Sequence, residues 1–278
     1  MQRKLLLAAL ILFIALPLVA QELTVDQVIA KNIEAHGGMA KLKSVKTMKA
    51  TGRLALPNGM ELPITAYQMR PNKQRLEIHV QGMTGIQAYD GTNGWQLMPF
   101  QGKKDPEPVS ADEAKEMADD SDIDGPLVDY KEKGNKVELL GKEKVEGADA
   151  YKLKVTMKNG SEKLLYLDAD SFLEIKSESK RTRQGNIVES EASIGDYKEV
   201  DGMMMAHAVE AGPKGRAERQ KFIMDKIEVN VPVDAAIFNM PPPAPAAATA
   251  EEKKEPAQTN PAPAKPADKP KTEDKPKQ

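Results

Sequence analysis

Between Tyr151 and Lys158 the side chains alternate strictly, with Tyr151, Leu153, Val155 and Met157 apolar and Lys152, Lys154, Thr156 and Lys158 polar. Successive side chains of an extended chain point to opposite sides, so this period of two gives one apolar and one wet face. Asn159-Gly160 then supplies a hairpin turn. Strand-like runs of similar character occupy roughly 45–55, 61–69, 74–80, 85–90, 94–98, 136–145, 163–168, 172–181, 187–198, 203–210 and 217–229. Turn chemistry separates many of them, as at Pro57-Asn58-Gly59, Asp90-Gly91, Glu146-Gly147, Gly185-Asn186 and Asp201-Gly202. So many antiparallel strands in succession predict a large meander, and a sheet of that length has to curl, close or be covered on its apolar face.

Short helices are the expected cover. Thr24 as N-cap, Asp26 in the first turn, and Val28, Ile29, Ile33 and Ala35 at helical spacing predict a helix over 24–36, stopped by Gly37-Gly38. A second turn, Met39 to Leu42, leads into the first strand near Val45. Ser110 caps a helix over Ala111–Asp120, and Gly125 to Tyr130 is expected to add a further turn.

The two ends read differently from the middle. Gln2-Arg3-Lys4, the twelve-residue apolar run Leu5–Leu16 and Pro17-Leu18-Val19-Ala20 have the regions of a signal peptide cleaved after Ala20, which places the mature protein in the periplasm. From 241 to 278 the chain is Pro, Ala, Lys, Glu and Thr without a large apolar side chain, the composition of a disordered tail or spacer. Residues 21–240 are then expected to form one domain, carrying 31 basic and 36 acidic side chains once Arg3, Lys4 and the tail's seven lysines and six acids are set aside. That acidic balance argues against a nucleic-acid partner. With no cysteine, the chain has no disulfide framework, so its own core must hold it.

Candidate chemistry is sparse. His36, His79 and His207 are not in a metal-binding spacing, and no Gly-x-Ser-x-Gly elbow, P-loop or Gly-x-Gly-x-x-Gly turn occurs. Asp119, Asp120, Asp122 and Asp124 lack the glycine and the terminal glutamate of a calcium-binding loop and read as a solvated loop between helices. No enzyme, metal or cofactor is expected. The notable excess is methionine, including the run Met203-Met204-Met205, which must send side chains to both faces of a strand.

Two stretches carry a resemblance. Met69-Arg70-Pro71-Asn72-Lys73-Gln74-Arg75-Leu76 and Tyr89-Asp90-Gly91-Thr92-Asn93-Gly94-Trp95-Gln96-Leu97-Met98-Pro99-Phe100 resemble the periplasmic lipoprotein carrier (LolA-like) family, in order and at similar spacing. Each part also has a local reason: Asp90-Gly91 makes a tight turn, Trp95 brings a large apolar surface and Pro71 fixes an extended exit. The resemblance implies a mainly β fold with α, an unclosed antiparallel half-barrel whose mouth is covered by short helices. It also implies a cavity for lipoprotein acyl chains or lipid, with Trp95, Met98, Pro99, Met157, Met203, Met204 and Met205 as cavity or motif residues. Partners would be an inner-membrane donor and an outer-membrane acceptor. Arg70, at the family's Arg-Pro position, is implied to latch the covering helices through their backbone, with Arg75 as an inert neighbour for comparison. The alternative function is a non-catalytic envelope sensor or scaffold that detects lipid or lipoprotein and binds a protein partner.

Overall fold

The structure, a computed structural model, describes residues 22–183 and 185–242. The expected signal peptide and the tail from 243 onward lie outside the described residues. Helix α1 (Val25–Ala35) begins at Thr24, whose side chain accepts from the Gln27 amide while Gln27 answers the Thr24 amide, a closed capping box. Gly37 and Gly38 follow at positive φ, and α2 (Met39–Ser44) takes the place of the single turn expected there. Helix α3 (Ala111–Asp120) is capped in the same reciprocal way by Ser110 and Glu113. Residues 125–130 form successive turns and not the further helical turn that the sequence suggested.

Among the described residues thirteen strands make one sheet: β1 (Thr47–Ala55), β2 (Glu61–Met69), β3 (Lys73–Val80), β4 (Met83–Tyr89), β5 (Gly94–Met98), β6 (Lys103–Pro108), β7 (Lys136–Val145), β8 (Ala148–Thr156), β9 (Glu162–Asp168), β10 (Glu174–Arg183), β11 (Asn186–Val200), β12 (Met203–Pro213) and β13 (Gln220–Val229). Their spatial order is β6-β5-β4-β3-β2-β1-β13-β12-β11-β10-β9-β8-β7, with every pairing antiparallel. The sheet is unclosed, with β6 and β7 as its edges. β6 escaped the sequence reading because Pro106 and Pro108 interrupt it; an edge strand tolerates proline, since one side has no ladder to feed.

Helix α3 reveals the curl. It touches both β5 and β10, which stand eight positions apart in the order. In a flat sheet that separation is about 38 Å, whereas a ten-residue helix is only about 15 Å long. The sheet must therefore bend around α3, which lies inside the curve. On the same side, Val28 and Ile29 of α1 pack with Leu127 onto Tyr151, Leu153, Val155, Leu165 and Leu167 of β8 and β9, forming the main core. The alternation seen at Tyr151–Met157 thus faces the concave side. A smaller cluster of Ile86, Ala88 and Trp95 covers part of the other side.

Candidate functional site: a covered apolar trough

The concave face is not filled along its middle. Ala50 and Ala66 pair directly across β1 and β2, and two small side chains facing each other leave space that larger ones would occupy. Around them Met48, Met203, Met205, Met224 and Ile227 line a cavity of about 400 Å³, with Leu42, Val45 and Ile123 contributed by α2, the residue that follows it, and the segment after α3. A second cavity of about 500 Å³ shares Ala66, Gln68 and Met224 with the first and continues past Leu76 and Phe222 to Met117, Arg181 and Arg183. Together they form one trough running beneath the covering segments.

Close approach fixes one end of the cover. A Cβ on Gly37 would lie 2.5 Å from the Gly202 carbonyl oxygen, so only glycine lets the end of α1 reach the β11–β12 turn. Beside it the His36 Nδ1 lies 2.8 Å from the Met204 carbonyl oxygen and donates to it. Burial pushes the His36 pKa down against the opposing effect of that carbonyl, which keeps the imidazole neutral. His36 thus binds the methionine strand and not the last carbonyls of its own helix.

Arg70, just past the end of β2, joins two covering segments, α2 with the residue that follows it and the stretch after α3. Its Nε donates to the Val45 carbonyl at 2.5 Å, its Nη2 to the Leu42 carbonyl at 2.9 Å, and its Nη1 and Nη2 to the two Asp124 carboxylate oxygens at 2.6 Å each. The planar guanidinium alone has enough donors in fixed directions to do this. Asp124 is buried, with 4 % of its side chain exposed, and Lys43 also reaches it at 3.0 Å. Burial pushes the Asp124 carboxyl up, but Arg70 and Lys43 outweigh it and hold the carboxyl below the usual range. The acidic cluster is therefore not simply a solvated loop: Asp124 is an internal counter-ion and Asp122 pairs with Lys133 at 2.5 Å.

A second set of ion pairs holds α3. Glu116 takes Arg181 at 3.1 Å and Arg183 at 2.8 Å, and Asp120 takes Arg181 and Lys163 at 3.2 Å each. From the opposite wall the Gln68 and Gln74 amides donate to the Asp120 and Met117 carbonyls. The Arg183 guanidinium holds the Glu116 carboxyl below its ordinary range, with Arg181 adding to it and burial opposing. Sequence reasoning missed this set entirely, since residues 67 apart carry no local signal of pairing.

Solved structures share this fold. A domain described as an outer membrane lipoprotein-sorting protein, from Vibrio parahaemolyticus, superimposes with a TM-score of 0.52 at 14 % identity, over 76 % of this chain and 97 % of that one. A LolA superfamily protein from Nitrosomonas europaea gives 0.53 at 14 % identity, covering 78 % and 98 %. The chain has the LolA-like fold. A DUF1329 family protein from Desulfovibrio piger gives 0.50 at 12 % identity, covering 77 % and 97 %. No protein-family model matches the sequence, and no curated protein does.

Within this LolA-like half-barrel, not every residue singled out in the sequence meets the trough. Met203, Met204 and Met205 do line it, with Met203 almost fully buried. Trp95 does not. It shares a sheet face with Arg75 and Ala88, its paired neighbours, and its Nε1 donates to the Phe238 carbonyl at 2.7 Å beneath the 3-10 turn Ala235–Phe238. That is the face turned away from α3. Met98 packs with Phe100 over Gly85, and Pro99 opens a 3-10 turn. Met157 leans on the α1 core and lines a polar pocket beside Lys133 and Asn135. Asp90 caps its own turn, accepting from the Thr92 and Asn93 amides, with Gly91 at φ 104°, and Pro71 follows Arg70 through a cis peptide bond. Arg75 is no inert neighbour: it pairs with Glu77, donates to the Ile237 carbonyl and lies over the Trp95 ring. Among the described residues no group of three or more His, Cys, Asp or Glu is placed to hold a metal.

Proposed function

We propose that this chain is a periplasmic carrier that binds acyl chains of lipoproteins or free lipid in the trough and moves them toward the outer membrane. The observation that carries the reading is the unfilled apolar middle of the concave face, lined by Met48, Ala50, Ala66, Met203, Met205, Met224 and Ile227 and covered by segments held through polar contacts. Sequestering a chain from water is worth on the order of 0.8 kcal/mol per methylene, so a greasy trough needs no catalytic group to retain cargo. Methionine suits variable chains, because its unbranched thioether adapts to irregular shapes. The export signal read at the N-terminus supports the location, and an inner-membrane donor and outer-membrane acceptor are the partners such a route requires.

In this reading Arg70 is the latch. It grips carbonyls at the end of α2 together with Asp124, so lifting the cover over Met203–Met205 breaks those bonds in one step. Mass spectrometry of the organic extract from purified protein tests the carrier: co-purified lipid, and displacement of an apolar dye from the stripped protein by fatty acids or lipopeptides, are expected. An empty extract together with no competition by any lipid would overturn it.

A further inference from the structure

The two walls of the larger cavity differ in chemistry. On one side Phe222, Met224, Ala66 and Leu76 make an uncharged, mainly apolar strip, with the Gln68 and Gln74 amides beside it turned to carbonyls of α3. The opposite wall includes β10, whose inward positions are Ser177, Ser179, Arg181 and Arg183; their orientation follows from Ser177 pairing directly with the core residue Leu165. A lid that had only to seal an apolar cavity would present apolar side chains to both walls. Helix α3 instead presents Met117 and Glu116, and Glu116 is buried against Arg181 and Arg183, which themselves line the cavity.

We propose that this end of the trough is a headgroup site, in which Arg181 and Arg183 bind the phosphate of an acidic amphiphile whose chain lies along the apolar wall. Glu116 occupies the site when no ligand is bound. The proposal rests on the carrier reading and deepens it by naming the ligand class. Two guanidiniums from alternate residues of one strand present planar donor forks that suit phosphate oxygens. Glu116 keeps them paired in the empty protein; losing that pairing is costly chiefly for Arg181, whose side chain is 19 % exposed, while Arg183 is half-exposed. Exchange of Glu116 for a ligand anion preserves that pairing, whereas an uncharged headgroup that displaced α3 would leave both arginines without a counter-ion. The site therefore selects for charge as well as for chain.

The test uses the full-length protein stripped of lipid, with dodecyl phosphate, dodecyl maltoside and inorganic phosphate as probes, read by calorimetry and by displacement of an apolar dye. Dodecyl phosphate is expected to bind about tenfold or more tightly than dodecyl maltoside, with inorganic phosphate far weaker than either. Arg181→Gln/Arg183→Gln should abolish the preference while changing maltoside affinity less than about threefold. Glu116→Gln, which leaves the arginines in place, should widen the preference. Equal wild-type affinities for the two amphiphiles would overturn the headgroup site and leave the carrier reading standing. A preference that survives in the double variant, one that narrows in Glu116→Gln, or inorganic phosphate binding as tightly as dodecyl phosphate would each overturn it too. Failure of both amphiphiles to bind would remove the site and the carrier reading together.

Discussion

Replacing Arg70 by leucine removes four hydrogen bonds at once, to Val45, Leu42 and both oxygens of Asp124. Deleting one partner of a fully buried ion pair costs about 3–5 kcal/mol, chiefly because the other charge is stranded. Here Asp124 is buried but keeps Lys43, and a quarter of the Arg70 side chain meets water, so about 2–3 kcal/mol is expected. That loss falls on docking of the cover more than on the sheet. Amides of residues 39–45 and 121–125 should then exchange hydrogen about 30–150-fold faster in Arg70→Leu, while core amides of β8 and β9 change much less. Under the carrier reading the same variant holds more lipid after purification and passes it on poorly. Arg53→Leu is the better comparison than Arg75→Leu, because the partners of Arg53 among the described residues are the exposed Glu61 and Asp225. Unchanged exchange across both covering segments in Arg70→Leu would refute the latch. Arg70→Leu/Asp124→Leu, which strands no charge, should recover part of the stability lost by the single change, and a double variant no more stable than Arg70→Leu would contradict the electrostatic account.

Other expectations follow from the same geometry. Burial raises the Glu174 carboxyl to about 7, against the opposing pull of Ser177 and Lys163. Between pH 4.5 and about 7 the unfolded chain has released a proton that the folded one keeps, so this group lowers stability as pH rises. Glu174→Gln should therefore gain about 1–3 kcal/mol at pH 8 relative to wild type and little at pH 4, measured by urea denaturation; equal gains at both pH values would contradict the burial argument. A Cβ on Gly52 would meet the Ile223 carbonyl oxygen at 2.0 Å, whereas one on Gly195 meets nothing within 4 Å. Gly52→Ala should cost about 1–3 kcal/mol or more and Gly195→Ala less than 1 kcal/mol, read from denaturation midpoints. Ending the chain after Met240 should leave the thermal midpoint nearly unchanged, whereas ending it after Asp234 removes the fully buried Phe238 and should cost about 3–5 kcal/mol. Fluorescence of Trp95, the single tryptophan, should shift to the red in the shorter chain alone.

Much of the architecture is written locally. The alternation at 151–157 named both the strand and its buried face, the Thr24 and Ser110 caps marked the starts of α1 and α3, and turn dipeptides such as Asp201-Gly202 separated the strands. These signals work because backbone geometry repeats every two or 3.6 residues and because caps and turns need only neighbours a few positions away. The Arg-Pro and Asp-Gly stretches likewise carry the resemblance to the LolA-like fold, and Arg70 stands in the first of them.

What only the tertiary structure decided depends on pairs distant in sequence. Period two says that a strand has two faces but not which one looks inward, so Trp95, an apparent cavity residue, turns out to lie beneath Phe238 on the far side. The aspartates after α3 look solvated in isolation, yet the curl of the sheet brings Arg70 onto Asp124 and Arg181 and Arg183 onto Glu116. Charge pairing needs only proximity in space and leaves no periodic trace in the chain. Order along thirteen strands determined the sheet; its curvature determined which charges meet and where the trough remains open.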